Sequence, residues 1–97
     1  MANYVILFNW TEQGIGSYKD SPSRVNEFNE QMSALGVSVK SVYWTLGQYD
    51  LVAVAEAPDD EAATAAMLRL GSLGNVRSTT LRAFDRSEYE ALVQKAS

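Results

Sequence analysis

Two residue types are absent from this chain of 97 residues: it contains no cysteine and no histidine. Without cysteine the chain forms no disulfide bond and has no thiolate nucleophile, and without both residues it lacks the usual ligands of zinc sites. The absence of histidine also removes the commonest acid–base catalyst. Any catalysis would have to use Asp, Glu, Lys, Arg, Tyr, Trp or the backbone, so we expect no metal and no cofactor.

Positive charge and long apolar runs are also scarce. Eight Lys and Arg residues stand against twelve Asp and Glu residues, which gives a net charge of −4. The basic residues are scattered, so they form no basic stripe that would neutralise the phosphates of a nucleic acid. The apolar runs are far too short to cross a bilayer, and the first residues lack the charged leader and cleavage pattern of a signal peptide. We therefore expect a cytoplasmic protein that binds neither nucleic acid nor membrane.

The remaining composition is that of one globular domain, which we place at residues 1–97. Hydrophobic residues make up 46% and charged residues 21% of the chain, as in ordinary folded domains. A chain of this size buries only roughly 60–65% of the surface that its unfolded form exposes. Alone it is marginally stable, and it gains much from a partner subunit.

The first part of the chain predicts a strand, a long connection and a helix. Asn3–Trp10 is rich in β-branched and aromatic residues and contains neither Gly nor Pro, which indicates strand one. A helix follows, with Ser21 as its N-cap and Pro22 at its first position, and Gly36 ends it. Thr11–Asp20 lies between them as a loop, about twice the roughly 4–6 residues of a usual connection.

The second part predicts a hairpin, a helix, a strand and a last helix. Helix two carries acidic residues at its positively polarised N-terminus, and the last helix begins with capping-box spacing. The bounds are Val37–Leu46 and Leu51–Ala57 for the hairpin strands, Asn75–Phe84 for strand four, Gly71–Gly74 for the loop before it, and Asp85 and Glu88 for the capping box. The order βαββαβ with a C-terminal helix predicts a ferredoxin-like α+β sandwich.

Both faces of the predicted sheet are apolar. Along strand one the side chains alternate between two sets, with Tyr4, Ile6, Phe8 and Trp10 on one face and Val5, Leu7 and Asn9 on the other. Two helices cover only one face of a four-stranded sheet, and an uncovered apolar face of this size predicts an interface. We expect a two-fold dimer packed sheet on sheet. In a lone subunit, we expect Ile6, Phe8 and Ala53 to be exposed to water.

Five segments resemble those of a known family. They are NWTEQGI from residue 9, KDSP at 19–22, YWTLGQYD at 43–50, EAPDDEAA at 56–63 and GSLGNVRSTTLRAF at 71–84. In order and spacing they are similar to the GYD-domain family, named for a Gly-Tyr-Asp pattern that Gly47, Tyr49 and Asp50 represent here. The resemblance implies membership of the dimeric α/β-barrel superfamily. It implies no single activity, because that superfamily includes cofactor-free monooxygenases, isomerases, haem enzymes and ligand-sensing domains.

The long connection is the first candidate binding site. It leads into a helix start with unpaired N–H groups, beside Lys19, and it contains Gly14 and Gly16. Together with Thr11, these groups would hold a carboxylate or a phosphate. The alternative is that Thr11 and Gln13 satisfy the segment's own backbone while Lys19 is solvated.

Residues on the strands and in the hairpin form the second group of candidates. Trp10, Tyr43 and Trp44 would line a cavity, but Tyr43 and Trp44 point to opposite faces, so at most one of them shares a pocket with Trp10. Tyr49 and Asp50 would offer a phenol and a carboxylate to a ligand. The structural alternatives are aromatic side chains that pack in the core or an interface, and an aspartate that fixes its own turn.

Two arginines on strand four are also candidates. Arg77 and Arg82 lie five residues apart, so they point to opposite faces of the sheet. A buried guanidinium needs an anionic ligand or a carboxylate partner, and Arg77 is the one we assign to a ligand. The structural alternative for both is an ion pair with Glu12, Asp20, Asp50 or Glu56.

These features lead to three functional hypotheses. The favoured one is a homo-oligomeric module, at least a homodimer, that binds a small carboxylate or aromatic metabolite or acts in regulation. The first alternative is a cofactor-independent monooxygenase or isomerase that acts on a small aromatic substrate. The second is a purely structural oligomer. The partners expected are a second copy of the chain and a small-molecule ligand.

Overall fold

The computed structural model describes residues 1–97 and has a four-stranded antiparallel sheet with helices. The elements are β1 Ala2–Trp10, α1 Glu12–Gly16, a 3-10 turn at Tyr18–Asp20, α2 Ser21–Ala34, β2 Ser38–Trp44, β3 Leu51–Ala57, α3 Asp60–Ser72, β4 Val76–Ala83 and α4 Arg86–Ala96. The strand order β2-β3-β1-β4 is that of the ferredoxin-like fold, so the predicted fold class is confirmed. None of the helices combines the length and the apolarity needed to span a membrane.

The predicted loop between strand one and the first long helix is wrong in one respect, because it contains α1 and the 3-10 turn. Thr11 is extended, and its hydroxyl accepts a hydrogen bond from the Gly14 N–H at 3.1 Å. This side-chain cap starts a helix of only five residues. So short a helix leaves no periodic pattern in the sequence.

Several other predicted boundaries differ from the structure. Ser21 is not the N-cap of α2, because Asp20 occupies that position and the buried Ser21 hydroxyl instead accepts from Trp44 Nε1 at 3.0 Å. β2 ends at Trp44 rather than Leu46, and α3 continues through Gly71 to Ser72. The capping box at Asp85 and Glu88 is present as predicted.

Helices α2 and α3 cover the face of the sheet that carries the even-numbered residues of β1. On this face Phe28 of α2 meets Phe8 edge to face, with ring centroids 6.2 Å apart. Alanines line β3 here, and alanines of α3 pack against the same core. The fully assembled core comprises Tyr4, Ile6, Phe8, Phe28, Met32, Val37, Leu51, Ala53, Ala55, Ala57, Ala63 and Ala66.

The opposite face has no helix over it. Direct cross-strand pairing brings six apolar side chains together there, and we call them the bare sheet face: Val5, Leu7, Tyr43, Val52, Val54 and Leu81. The expectation that Ile6, Phe8 and Ala53 are the residues exposed in a lone subunit is wrong. Their exposed fractions are 2%, 4% and 0%, because α2 and α3 cover their side of the sheet.

Candidate functional site

A cavity of about 110 Å³ lies between the sheet and the helices α2 and α3. It opens at the end of β1, beside the segment that joins α3 to β4. Most of its wall is apolar, and the apolar residues are Phe8, Trp10, Val25, Phe28, Val42, Leu51, Leu70, Leu73 and Val76. The polar lining residues are Ser21, Arg24, Glu27, Gln31 and Asn75.

Most of the polar side of the cavity is one stripe on α2, and Asn75 lies in the connection before β4. Arg24, Glu27 and Gln31 are spaced three and four residues apart, so they share one side of the helix. The side-chain oxygen of Gln31 is buried and has no hydrogen-bond partner. A buried, unpaired polar atom costs about 1–3 kcal/mol of stability. Gln31 thus lines the cavity and carries an acceptor that the chain leaves unsatisfied.

Arg24 brings a positive charge to the same wall. Its guanidinium donates to the Ser17 carbonyl at 3.1 Å, to the Ser17 hydroxyl at 2.8 Å and to the Gly14 carbonyl at 3.4 Å. It takes part in none of the three ion pairs of the structure. The charge is thus held in place by neutral oxygens and stays uncompensated by any carboxylate within 4.0 Å.

The segment 11–20 is hydrogen-bonded to the connection before β4, next to the cavity. Thr11 Oγ1 donates to the Gly74 carbonyl at 2.6 Å, and Gln13 Nε2 donates to the Leu73 carbonyl at 3.1 Å. A Cβ on Gly14 would lie 1.9 Å from the Asn75 carbonyl oxygen, so the two backbones pack in direct contact. Glycine is therefore required at position 14 for close approach.

The Gly-Tyr-Asp motif lies in the turn between β2 and β3, and Asp50 of this motif is hydrogen-bonded to the end of β1. Gly47 has a φ of +124°, which L side chains rarely adopt. The Asp50 N–H donates to the Phe8 carbonyl at 2.8 Å, and Asp50 Oδ2 accepts from the Trp10 N–H at 2.9 Å. These bonds fix the backbone at Trp10, whose side chain lines the cavity.

The residues predicted as a binding site fall into separate regions. Trp10 lies on the cavity wall, next to Thr11 and hydrogen-bonded through its N–H to Asp50. Tyr49 is half-buried in the turn, and Lys19 is exposed on the 3-10 turn. Tyr43 and Arg77 both lie on the uncovered side of the sheet, opposite the cavity, where Arg77 pairs with Asn9 across the strands. The structure therefore brings together only Trp10, Thr11 and Asp50.

Arg24 and Gln31 were missed from the sequence. A signal was present, because both stand one residue before an apolar position of α2, Val25 and Met32. Such flanking positions lie at the border of a buried helix face. Their role becomes visible only when the sheet and the end of α3 supply the remaining walls.

A second polar cluster lies on the helix-covered side, away from the cavity. The buried Tyr4 hydroxyl donates to Asp60 Oδ1 at 2.6 Å, and Arg82 Nε lies 4.0 Å from the same oxygen. Burial raises the pKa of Tyr4 to about 12, with the hydrogen bond to Asp60 as the next cause. Arg82 pairs with Asp60 rather than with any of the four carboxylates expected. The polar groups of this cluster therefore find their partners in one another.

The structure groups no three acidic side chains able to hold a metal ion.

Comparisons with known proteins agree with this fold. The model of the GYD domain family matches residues 4–93. A Thermus thermophilus protein named glutamine synthetase and cystathionine beta-lyase binding protein is 37% identical over 84 residues, which is 86% of this chain and 88% of that protein.

Two solved structures illustrate the structural likeness. The crystal structure of TTHA0845 from Thermus thermophilus has 28% sequence identity and a TM-score of 0.56, covering 88% of this chain and 95% of that chain. A feast or famine regulatory protein from M. tuberculosis, complexed with L-methionine, has 16% identity and a TM-score of 0.67, covering 88% of this chain and 51% of that chain. The second likeness shows a shared fold.

Replacing Gly14 by Ala tests the close approach of the segment 11–20 to the connection before β4. We expect Gly14→Ala to lower the free energy of unfolding by about 1–3 kcal/mol, the range of overpacking substitutions, because the new Cβ meets backbone rather than a movable side chain. Gly16→Ala is the matched control, since nothing lies within 4 Å of its Cβ position, and it should be neutral or slightly stabilising. Urea denaturation measures both, and equal stabilities would contradict the close approach.

Proposed function

The chain belongs to the GYD domain family, and we propose that within it this protein is a homodimeric module that binds a small aromatic molecule in the cavity beside α2. The observation that carries the proposal is the buried, unpaired oxygen of Gln31, a residue that lines a mostly apolar cavity. Buried polar atoms in folded proteins almost always have a partner. A bound molecule that donates a hydrogen bond would supply it.

The size and lining of the cavity favour a single small ring. Its volume of about 110 Å³ is somewhat below the roughly 150 Å³ of an engineered apolar cavity that binds benzene. Trp10, Phe8 and Phe28 contribute aromatic surface for an aromatic body. The ligand would direct an O–H or N–H group at Gln31, and a carboxylate on it would face the uncompensated charge of Arg24.

The bare sheet face supports the homodimer. Val5, Leu7, Val52 and Val54 lie side by side across β1 and β3, and Leu81 extends the row onto β4. Contiguous apolar surface of this kind marks interaction sites in soluble proteins. A two-fold axis through the face would cover it with an identical copy of itself.

Phenol and toluene form a matched pair of probes for the cavity, because they have nearly the same shape and differ in the hydroxyl donor. We expect phenol to bind wild type more tightly than toluene, by about fivefold for one net hydrogen bond of roughly 1 kcal/mol. NMR titration of the backbone amides measures both affinities and locates the probe. In Gln31→Leu, which removes the acceptor and keeps a similar volume, the preference for phenol should disappear.

Val25→Phe provides the second arm of this experiment. Val25 lines the cavity, and a phenyl ring there should fill it and abolish the binding of both probes. Unchanged affinities in Val25→Phe, or shifts confined to amides away from α2 and the end of β1, would contradict the proposed ligand site.

The dimer is tested by two substitutions at neighbouring positions of β4. Leu81 belongs to the bare sheet face, whereas Thr80 points to the other side of the sheet, and both are exposed in the single chain. We expect wild type and Thr80→Asp to sediment as dimers at micromolar concentration and Leu81→Asp to sediment as a monomer, because a carboxylate would be buried unpaired in the interface. A monomeric wild type would overturn the proposed dimer.

The Thermus relative favours a second candidate function, the binding of metabolic enzymes. That protein is 37% identical over most of this chain and is named for glutamine synthetase and cystathionine beta-lyase. We expect the chain to bind one of these two enzymes from its own organism, measured by biolayer interferometry with the purified enzyme immobilised. An unrelated dehydrogenase serves as the control. Equal signals on the enzyme and the control would contradict this candidate.

A further inference from the structure

The C-terminal helix α4 contributes nothing to the core of its own chain. No residue of α4 is buried. Nevertheless it carries an apolar stripe at the spacing of an amphipathic helix, and the stripe consists of Tyr89, Leu92, Val93 and Ala96. Tyr89 is 62%, Leu92 38% and Val93 45% exposed. A helix with an apolar stripe is normally stabilised by packing that stripe against another element.

The start of α4 is fixed at one edge of the uncovered side of the sheet. Asn3 Nδ2 donates to Glu88 Oε1 at 2.9 Å, and Asn3 stands in the same alternating row of β1 as Val5 and Leu7. Leu92 lies one turn beyond Glu88 on the same side of the helix. The apolar stripe therefore continues from this edge of the bare sheet face and runs beyond the sheet.

The dimensions of the chain agree with a helix that projects from its body. The radius of gyration is 14.5 Å, whereas a compact chain of this length has about 12.5 Å. The accessible surface is 6395 Å², whereas a compact protein of 10.7 kDa exposes about 5,500 Å². The excess of about 900 Å² means that the chain is more extended than a compact monomer of its mass.

We propose that the apolar stripe of α4 packs against a second copy of this chain at the rim of the interface that the bare sheet faces form. The proposal rests on the homodimer proposed above. A second copy that packs on the bare sheet face would also contact α4, because the apolar stripe begins at the edge of that face. Because of the two-fold symmetry, each α4 contacts the other subunit, and the same contact occurs twice in the dimer.

Two adjacent positions of α4 test the contact. Leu92→Asp places a carboxylate in the apolar stripe, and Ala91→Asp places the same group on the opposite side of the helix. We expect Leu92→Asp to raise the dimer dissociation constant at least about tenfold and Ala91→Asp to change it less than about threefold, as measured by sedimentation equilibrium. Both variants should fold, because no residue of α4 belongs to the core, and circular dichroism checks this.

The absence of cysteine provides a second measurement. Val93→Cys and Gln94→Cys each carry a single thiol, the first on the stripe and the second away from it. In the dimer we expect the thiol at position 93 to be alkylated several-fold more slowly than the one at 94. In the Leu81→Asp background, where the dimer is lost, the two rates should become similar.

The outcomes separate this contact from the dimer itself. Equal dissociation constants for Leu92→Asp and Ala91→Asp, with Leu81→Asp still monomeric, would overturn the α4 contact and leave the sheet-to-sheet dimer standing. A wild type that sediments as a monomer would overturn both. Equal alkylation at 93 and 94 in a dimeric wild type would overturn the α4 contact alone.

Discussion

The rest of the structure depends on one constraint. The sheet has two apolar faces, but the helices of the chain that form a core cover only one of them. Ala53, Ala55 and Ala57 point toward α2 and α3, while the valines of β3 point away. Small side chains under the helices permit a close approach, and the larger ones are left for another surface to cover. The cavity and the bare sheet face are thus two consequences of the same strands.

The Gly-Tyr-Asp turn and the segment 11–20 hold the cavity end in place from opposite sides. Asp50 binds the backbone of Trp10, and Thr11, the next residue, binds the Gly74 carbonyl. Each bond joins positions far apart in the sequence, so together they connect the β2–β3 turn, the end of β1 and the connection before β4. Polar residues that resemble a binding motif in the sequence serve here to position Trp10.

Local patterns of the sequence predict most of the fold, and long-range contacts account for what they miss. The alternation in β1 identifies two side-chain sets, but only the positions of Phe28, Met32 and Ala66 decide which set is covered. Serine is a residue type that favours the N-cap position. The hydroxyl of Ser21, however, accepts a hydrogen bond from the indole N–H of Trp44, which is distant in the sequence. Arg82 needs a carboxylate, as expected, and Asp60 supplies it from α3. The oxygen of Gln31 is buried only because several elements pack around it, so no local sequence pattern predicts that it is unpaired.

The cavity and the bare sheet face are physically separable because side chains alternate along a strand. Phe8 and Trp10 point into the cavity, while Leu7 and Asn9 point to the uncovered side of the same strand. A substitution on one side therefore changes the chemistry of that side and leaves the other side chains in place. The proposed ligand binding can therefore fail while the proposed dimer persists, and the reverse also holds. A coupling between them would have to pass through the backbone of β1, whose ladders to β3 and β4 are regular along nearly its whole length.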